Sequence, residues 1–144
     1  MANIDDSSRR LIWHGMFLVL LGLLTGFVEQ EFANVRMGLA AHLEGVMNGI
    51  FLVALGAVWT SVRLSPRLKG GAYWSALFGT YGNWMATTLA AVFGAASLSP
   101  ITGAGHHALP WQEGLVTLLF IAIGIAITVC AVLVLWGLRR AAVS

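Results

Sequence analysis

From residue 114 to residue 138 the chain carries no ionisable side chain apart from the thiol of Cys130. At a rise of about 1.5 Å per residue, such a run outspans a hydrocarbon core of about 30 Å, and a helix is the structure that satisfies its own backbone there. Three more apolar segments precede it. Residues 11–28 follow Arg9 and Arg10, residues 37–62 follow a short polar link at 29–36, and residues 72–98 follow a basic turn with Arg63, Pro66, Arg67, Lys69, Gly70 and Gly71. The first segment is too long for the apolar part of a signal peptide and ends in Glu29-Gln30-Glu31, so it reads as a retained helix. The expectation is an all-α integral membrane protein in one domain, 1–144, with four transmembrane helices at 9–30, 37–62, 72–98 and 112–138. The short first connection makes its two helices antiparallel neighbours, and the whole reads as an antiparallel bundle.

Composition agrees: 58% of residues are apolar and 10% charged, far from a soluble domain. The net charge of +2 does not point to nucleic acid, because the basic residues sit at the ends of apolar segments. Arg9, Arg10, Arg63, Arg67, Lys69, Arg139 and Arg140 all fall on one side, and the opposite connections carry only Arg36. The positive-inside rule then puts both termini in the cytoplasm, with membrane lipid as the surrounding partner. Trp13, Trp59, Trp74, Trp111 and Trp136 lie near segment ends, where aromatic belts form, and Trp84 is too deep for one. Asp6, Ser7 or Ser8 can cap the first helix, and Glu113 suits the positive end of the last. A single cysteine leaves no disulfide framework and no thiolate cluster.

Against this background the second segment stands apart, with His42, Glu44 and Asn48 within two turns. Ionisable groups at membrane depth are costly and mark functional sites. At about 100° per residue Glu44 and Asn48 stack one above the other, while His42 points roughly 120–160° away from both. One helix thus presents chemistry in two directions. Gly38, Gly45 and Gly49 flank His42 on its own face, which leaves room for a flat cofactor or for the backbone of another helix. The third segment carries a row of Thr80, Asn83 and Thr87, with Tyr81 and Trp84 nearby, that reads either as interhelical glue or as part of a site. His14 reads as an interfacial histidine. His106 and His107 read as surface histidines, because no H-E-x-x-H spacing accompanies them. His14 and His42 are separated along the membrane normal by on the order of 15–20 Å, so they cannot share one iron within a subunit. A haem on one histidine keeps an open axial position, which suits substrate binding.

The motifs Trp13-His14-Gly15, Gly22-Leu-Leu-Thr-Gly26, the run from Arg36 through His42, Glu44 and Asn48 to Gly49, and Tyr81-Gly82-Asn83-Trp84 together resemble bacterial hydroxylaminobenzene mutase over 9–140. A shorter core, histidine and Asn-Gly on helix two with a Trp/Tyr-x-Asn on helix three, is similar to styrene oxide isomerase. The resemblance implies a multi-pass protein of the bacterial inner membrane, a homotrimer with haem b between subunits, and His42 as the axial metal ligand. It also implies that Asn48 is catalytic. With the residues read above, the candidate catalytic set is Asn48, Asn83, Glu44 and Tyr81, and the candidate cofactor-binding set is His42, Gly45 and Gly49. The implied reaction is an isomerisation of hydroxylaminobenzene to 2-aminophenol in nitroaromatic degradation, with ferric haem as Lewis acid and a small aromatic substrate. Aryl epoxide isomerisation and a non-enzymatic haem-binding membrane subunit are the alternatives. The epoxide isomerase has a functional tyrosine one turn after the position matching Asn83, where this chain has Thr87. That difference favours the mutase branch.

Overall fold

The computed structural model describes residues 6–139; the polar start at 1–5 and Arg140 lie outside the described residues. Helix α1 spans Asp6–Val28 and runs into a 3-10 turn, Glu29–Glu31; α2 spans Val35–Val58, followed by a 3-10 turn, Trp59–Ser61. Helices α3 and α4 span Pro66–Phe93 and Pro110–Arg139, and among the described residues every regular element is helical. With their turns, α1 and α2 are long and apolar enough to cross a membrane, and so is α4. Helix α3 has the length, but Arg67, Lys69 and its Thr/Asn row dilute its apolar character.

The ends of α3 differ from the expected 72–98. Pro66 occupies the first turn, where its missing N–H costs nothing, so the basic stretch lies inside the helix. At the far end Gly94 adopts φ 71°, a left-handed stop that favours glycine, and residues 95–98 belong to the connection. Helix α2 starts at an Asn34 cap whose Oδ1 accepts from the Met37 N–H at 3.1 Å. Asn34 is fully buried; its N–H donates to the Ala91 carbonyl and its Nδ2 to the Thr102 carbonyl at 2.8 Å. The 94–109 connection is thereby pinned to α2. Glu113, expected to favour a helix start, also accepts from the N–H groups of Ala96 and Ser97 and the Ser97 hydroxyl.

Along α1 and α2 the partners step in opposite senses: Ser8 meets Gly56, Gly15 meets Gly49, Gly22 meets Gly45 and Gly26 meets His42. A Cβ added at Gly45 would lie 2.5 Å from the Gly22 Cα, and one at Gly22 would lie 2.6 Å from the Val46 N. Only hydrogen fits between these backbones, so the small-residue spacing sets the helix separation. Helices α3 and α4 meet differently, with Gly79 and Gly82 receiving the side chains of Ile127 and Ile123.

The core has two parts. Leu11, Leu18, Leu52, Leu55, Trp59 and Cys130 belong to one, and Met37, Ala90, Ala91 and Val116 to the other. Trp59 is therefore a correction to the aromatic-belt expectation: it is 1% exposed, whereas Trp13, Trp74, Trp111 and Trp136 are 48–69% exposed. Its place near a helix end is compatible with either direction, and here the ring turns inward.

Candidate functional site

Helix α2 puts different chemistry against each neighbour. Toward α1, His42 Nδ1 lies 2.8 Å from the Gly22 carbonyl oxygen. A carbonyl only accepts, so this contact assigns the imidazole proton to Nδ1 and leaves the Nε2 lone pair available. Among the described residues nothing bonds to Nε2. The ring sits in a depression of about 300 Å³ bordered by Leu23, Gly26, Phe27, Glu29 and Leu39. Gly26 is required there, since a Cβ would come within 2.7 Å of His42 Nδ1.

This arrangement fits a haem iron. Metal-bound histidines commonly donate their second ring N–H to a carbonyl or carboxylate, which fixes tautomer and ring orientation. The apolar border of Leu23, Phe27 and Leu39 suits a macrocycle face. No group of three or more His, Cys, Asp or Glu able to hold a metal ion occurs among the described residues, so within this chain His42 would be a lone donor to such an iron. Gly45 and Gly49, the other expected cofactor-binding positions, lie under Gly22, Gly15 and Val19 of α1; here it is a helix that occupies their open face.

Toward α3, Glu44 Oε2 accepts two hydrogen bonds, from Asn48 Nδ2 at 3.1 Å and from Asn83 Nδ2 at 2.6 Å. The structure thus joins three of the four expected catalytic side chains through one oxygen. Because each amide turns its NH₂ to the carboxylate, each Oδ1 is left as an acceptor, and no bond to either Oδ1 or to Glu44 Oε1 occurs among the described residues. All three side chains are partly exposed. Of the α3 row only Asn83 takes part. Thr80 donates to the Ala76 carbonyl and Thr87 to the Asn83 carbonyl, both at 2.8 Å.

Tyr81 is not with these groups. Its hydroxyl lies 3.1 Å from His14 Nδ1 and donates to the His14 carbonyl at 3.2 Å. Two residues along a helix turn the side chain by about 200°, so Tyr81 and Asn83 face different neighbours. His14 correspondingly has a specific aromatic partner rather than a plain interfacial setting. The sequence reading missed Thr25, whose hydroxyl accepts from Trp84 Nε1 at 3.0 Å; its signal was its place inside the Gly22–Gly26 motif. It also missed Ser8, whose hydroxyl donates to the Gly56 carbonyl at 2.7 Å.

The class, an isomerase, comes from sequence likeness, which the helical packing around a two-faced polar helix accommodates. The model of the styrene oxide isomerase family matches residues 7–139, and the chain belongs to that family. It is 46% identical over 135 residues to hydroxylaminobenzene mutase HabB of Ectopseudomonas oleovorans, covering 93% of this chain and 82% of that protein. Hydroxylaminobenzene mutase HabA of the same organism is 37% identical over 127 residues, 88% of this chain and 94% of its own length. No solved structure matches the chain significantly.

Proposed function

We propose that the chain isomerises hydroxylaminobenzene to 2-aminophenol inside the bacterial inner membrane. In this reading four antiparallel helices span the bilayer with both termini in the cytoplasm, and haem b is held by His42 Nε2. The observation that carries it is the division of α2 into an Nδ1-anchored imidazole on one face and a carboxylate-clamped pair of asparagines on the other. The likeness to two hydroxylaminobenzene mutases supports the choice of substrate.

Reactant and product are isomers, so no net electrons enter. The N–O bond breaks, a C–O bond forms at the ortho carbon, and the proton lost from that carbon is balanced by one gained at nitrogen. His42 would hold the haem, which when bound would supply Lewis-acid polarisation at the N–OH group. The chain's own groups do the rest. Asn48 Oδ1 and Asn83 Oδ1 accept from the substrate's N–H and O–H and fix its orientation. Glu44 Oε2 holds both amides in that sense, and Glu44 Oε1 takes the ortho proton and stabilises positive charge on the ring. Placement within the bilayer would exclude bulk water, which would otherwise add to the ring.

His42 and the asparagines face away from each other within one chain. A site using both therefore pairs the histidine face of one copy with the amide face of the next, a head-to-tail contact that closes as a ring, which the resemblance to styrene oxide isomerase makes a homotrimer. The test is product analysis with purified protein: 2-aminophenol at the expense of 4-aminophenol is expected, and its loss in Asn48→Ala with the haem band retained. A protein that keeps its haem but leaves hydroxylaminobenzene unchanged contradicts the reading. Aryl epoxide isomerisation is the second reading, favoured by the family model. Against it, Thr87 stands where the epoxide enzymes place a tyrosine, and its hydroxyl is spent on the Asn83 carbonyl.

A further inference from the structure

Where Ser8 meets Gly56 and the Arg63 N–H meets the Gly137 carbonyl, the molecule gathers Arg9, Arg10, Arg63, Arg67, Lys69 and Arg139 at one end. The carboxylate described at this end is Asp6, which is divided between Arg9 at 3.1 Å and Arg10 at 2.9 Å. A cavity of about 450 Å³ opens among these charges, bordered by Arg10, Trp59, Pro66, Lys69, Tyr73 and Trp74. That volume is in the range of small-molecule sites, about 300–1,000 Å³.

Two features give the cavity a chemistry. Lys69 Nζ stands 5.4 Å from the centroid of the buried Trp59 ring and has no carboxylate partner among the described residues. A ring face holds an ammonium in place without using its N–H donors, so they remain free for an anion. Arg10 supplies a second cation on the cavity border, with donors beyond the one given to Asp6. The border also carries the aromatic rings of Trp59, Tyr73 and Trp74, of which Trp74 is 69% exposed. Cations beside exposed aromatic surface match a ligand that is anionic at one end and greasy at the other.

We infer that this cavity binds the phosphate group of an anionic phospholipid headgroup, held by Lys69 and Arg10 while the acyl chains leave past Trp74. Basic pockets of this kind at the cytoplasmic ends of membrane helices recognise anionic headgroups. The inference rests on the membrane reading proposed above, and it is independent of the isomerase chemistry.

The test is native mass spectrometry of the full chain in neutral detergent with short-chain phosphatidylglycerol, with phosphatidylcholine, and with inorganic phosphate as competitor. Phosphatidylglycerol is expected to be retained in preference to phosphatidylcholine. Lys69→Gln and Arg10→Gln should each weaken it roughly fivefold, the loss for one cation near a membrane surface. Lys69→Arg should bind like the parent chain. Arg63→Gln, at the same end but outside the cavity border, should also bind unchanged. Equal retention of the two lipids, or an equal loss in Arg63→Gln, overturns the site. Displacement of the lipid by inorganic phosphate in a Lys69-dependent manner keeps the phosphate site and assigns it to a soluble ligand instead of a headgroup. Isomerase activity retained in Lys69→Gln shows that the variant folds; if it is lost, the comparison of Arg10→Gln with Arg63→Gln carries the test. A chain that stays soluble without detergent fails the membrane reading itself, whereas a detergent-requiring chain that does not discriminate between the lipids fails this inference alone.

Discussion

Helices α1 and α2 meet backbone to backbone, whereas α3 and α4 meet through the branched ends of isoleucines. The first seam has glycine on both sides at Gly15–Gly49 and Gly22–Gly45, and an added carbon there strikes main-chain atoms that cannot rotate away. In the second seam, Gly79 and Gly82 are the sockets and Ile127 and Ile123 the knobs, whose outer atoms can adjust. The close backbone contact therefore lies beside His42, where an added carbon has least room to be accommodated. The imidazole is held by the Gly22 carbonyl, and that carbonyl is placed by the tightest helix contact in reach of it.

The largest effect should come from overpacking the first seam. Gly22→Val is expected to cost about 3 kcal/mol or more, the upper end for added core volume, and to remove the folded species on size exclusion in detergent. If it behaves no worse than Gly79→Ala, the contrast between the seams is wrong. Next, Glu44→Ala should lower kcat by roughly 100-fold or more, because the bond to both asparagine amides and the proton acceptor vanish together. Glu44→Gln separates the two roles: its amide oxygen can still hold both amides, so retained KM with a reduced kcat points to the acceptor. Recovery of both parameters would make Glu44 a positioning residue.

A smaller, local effect belongs to Gly26→Ala. Its methyl would press on the His42 ring, and haem occupancy should fall about tenfold, as for other residues that orient a metal-binding histidine. Titration of the purified apoprotein with haem measures it. Gly79→Ala follows at about 1 kcal/mol, read as a shift in the thermal midpoint, because Ile127 must move aside. Smallest is Trp84→Phe, which removes one hydrogen bond to Thr25 between α3 and α1 and should cost about 0.6 kcal/mol.

The two-directional character of α2 was legible in the sequence, because a 100° step per residue is a property of any helix and does not depend on neighbours. Which neighbour would fill the glycine face was not legible. Gly38, Gly45 and Gly49 advertise space, and a cofactor and a second helix use space alike; only the matching spacing in Gly15, Gly22 and Gly26 decides for α1, and that requires the register between two chain segments. Tyr81 shows the opposite case. Its turn away from Asn83 followed from two residues of helix, and proximity in sequence concealed it. Trp59 could not be assigned from position alone, since a helix end is both where belts form and where the core closes. The limits of α3 misled for a local reason: proline reads as a break, but in the first turn it begins a helix.

The central proposal is that His42, with Nδ1 on the Gly22 carbonyl and Nε2 available, holds an iron porphyrin. The direct measurement is the visible absorption spectrum of the purified chain beside that of His42→Ala, each assayed for 2-aminophenol. A strong haem band in the parent chain, lost together with product formation in a folded His42→Ala, is the predicted result. A colourless parent chain that still forms 2-aminophenol would contradict it.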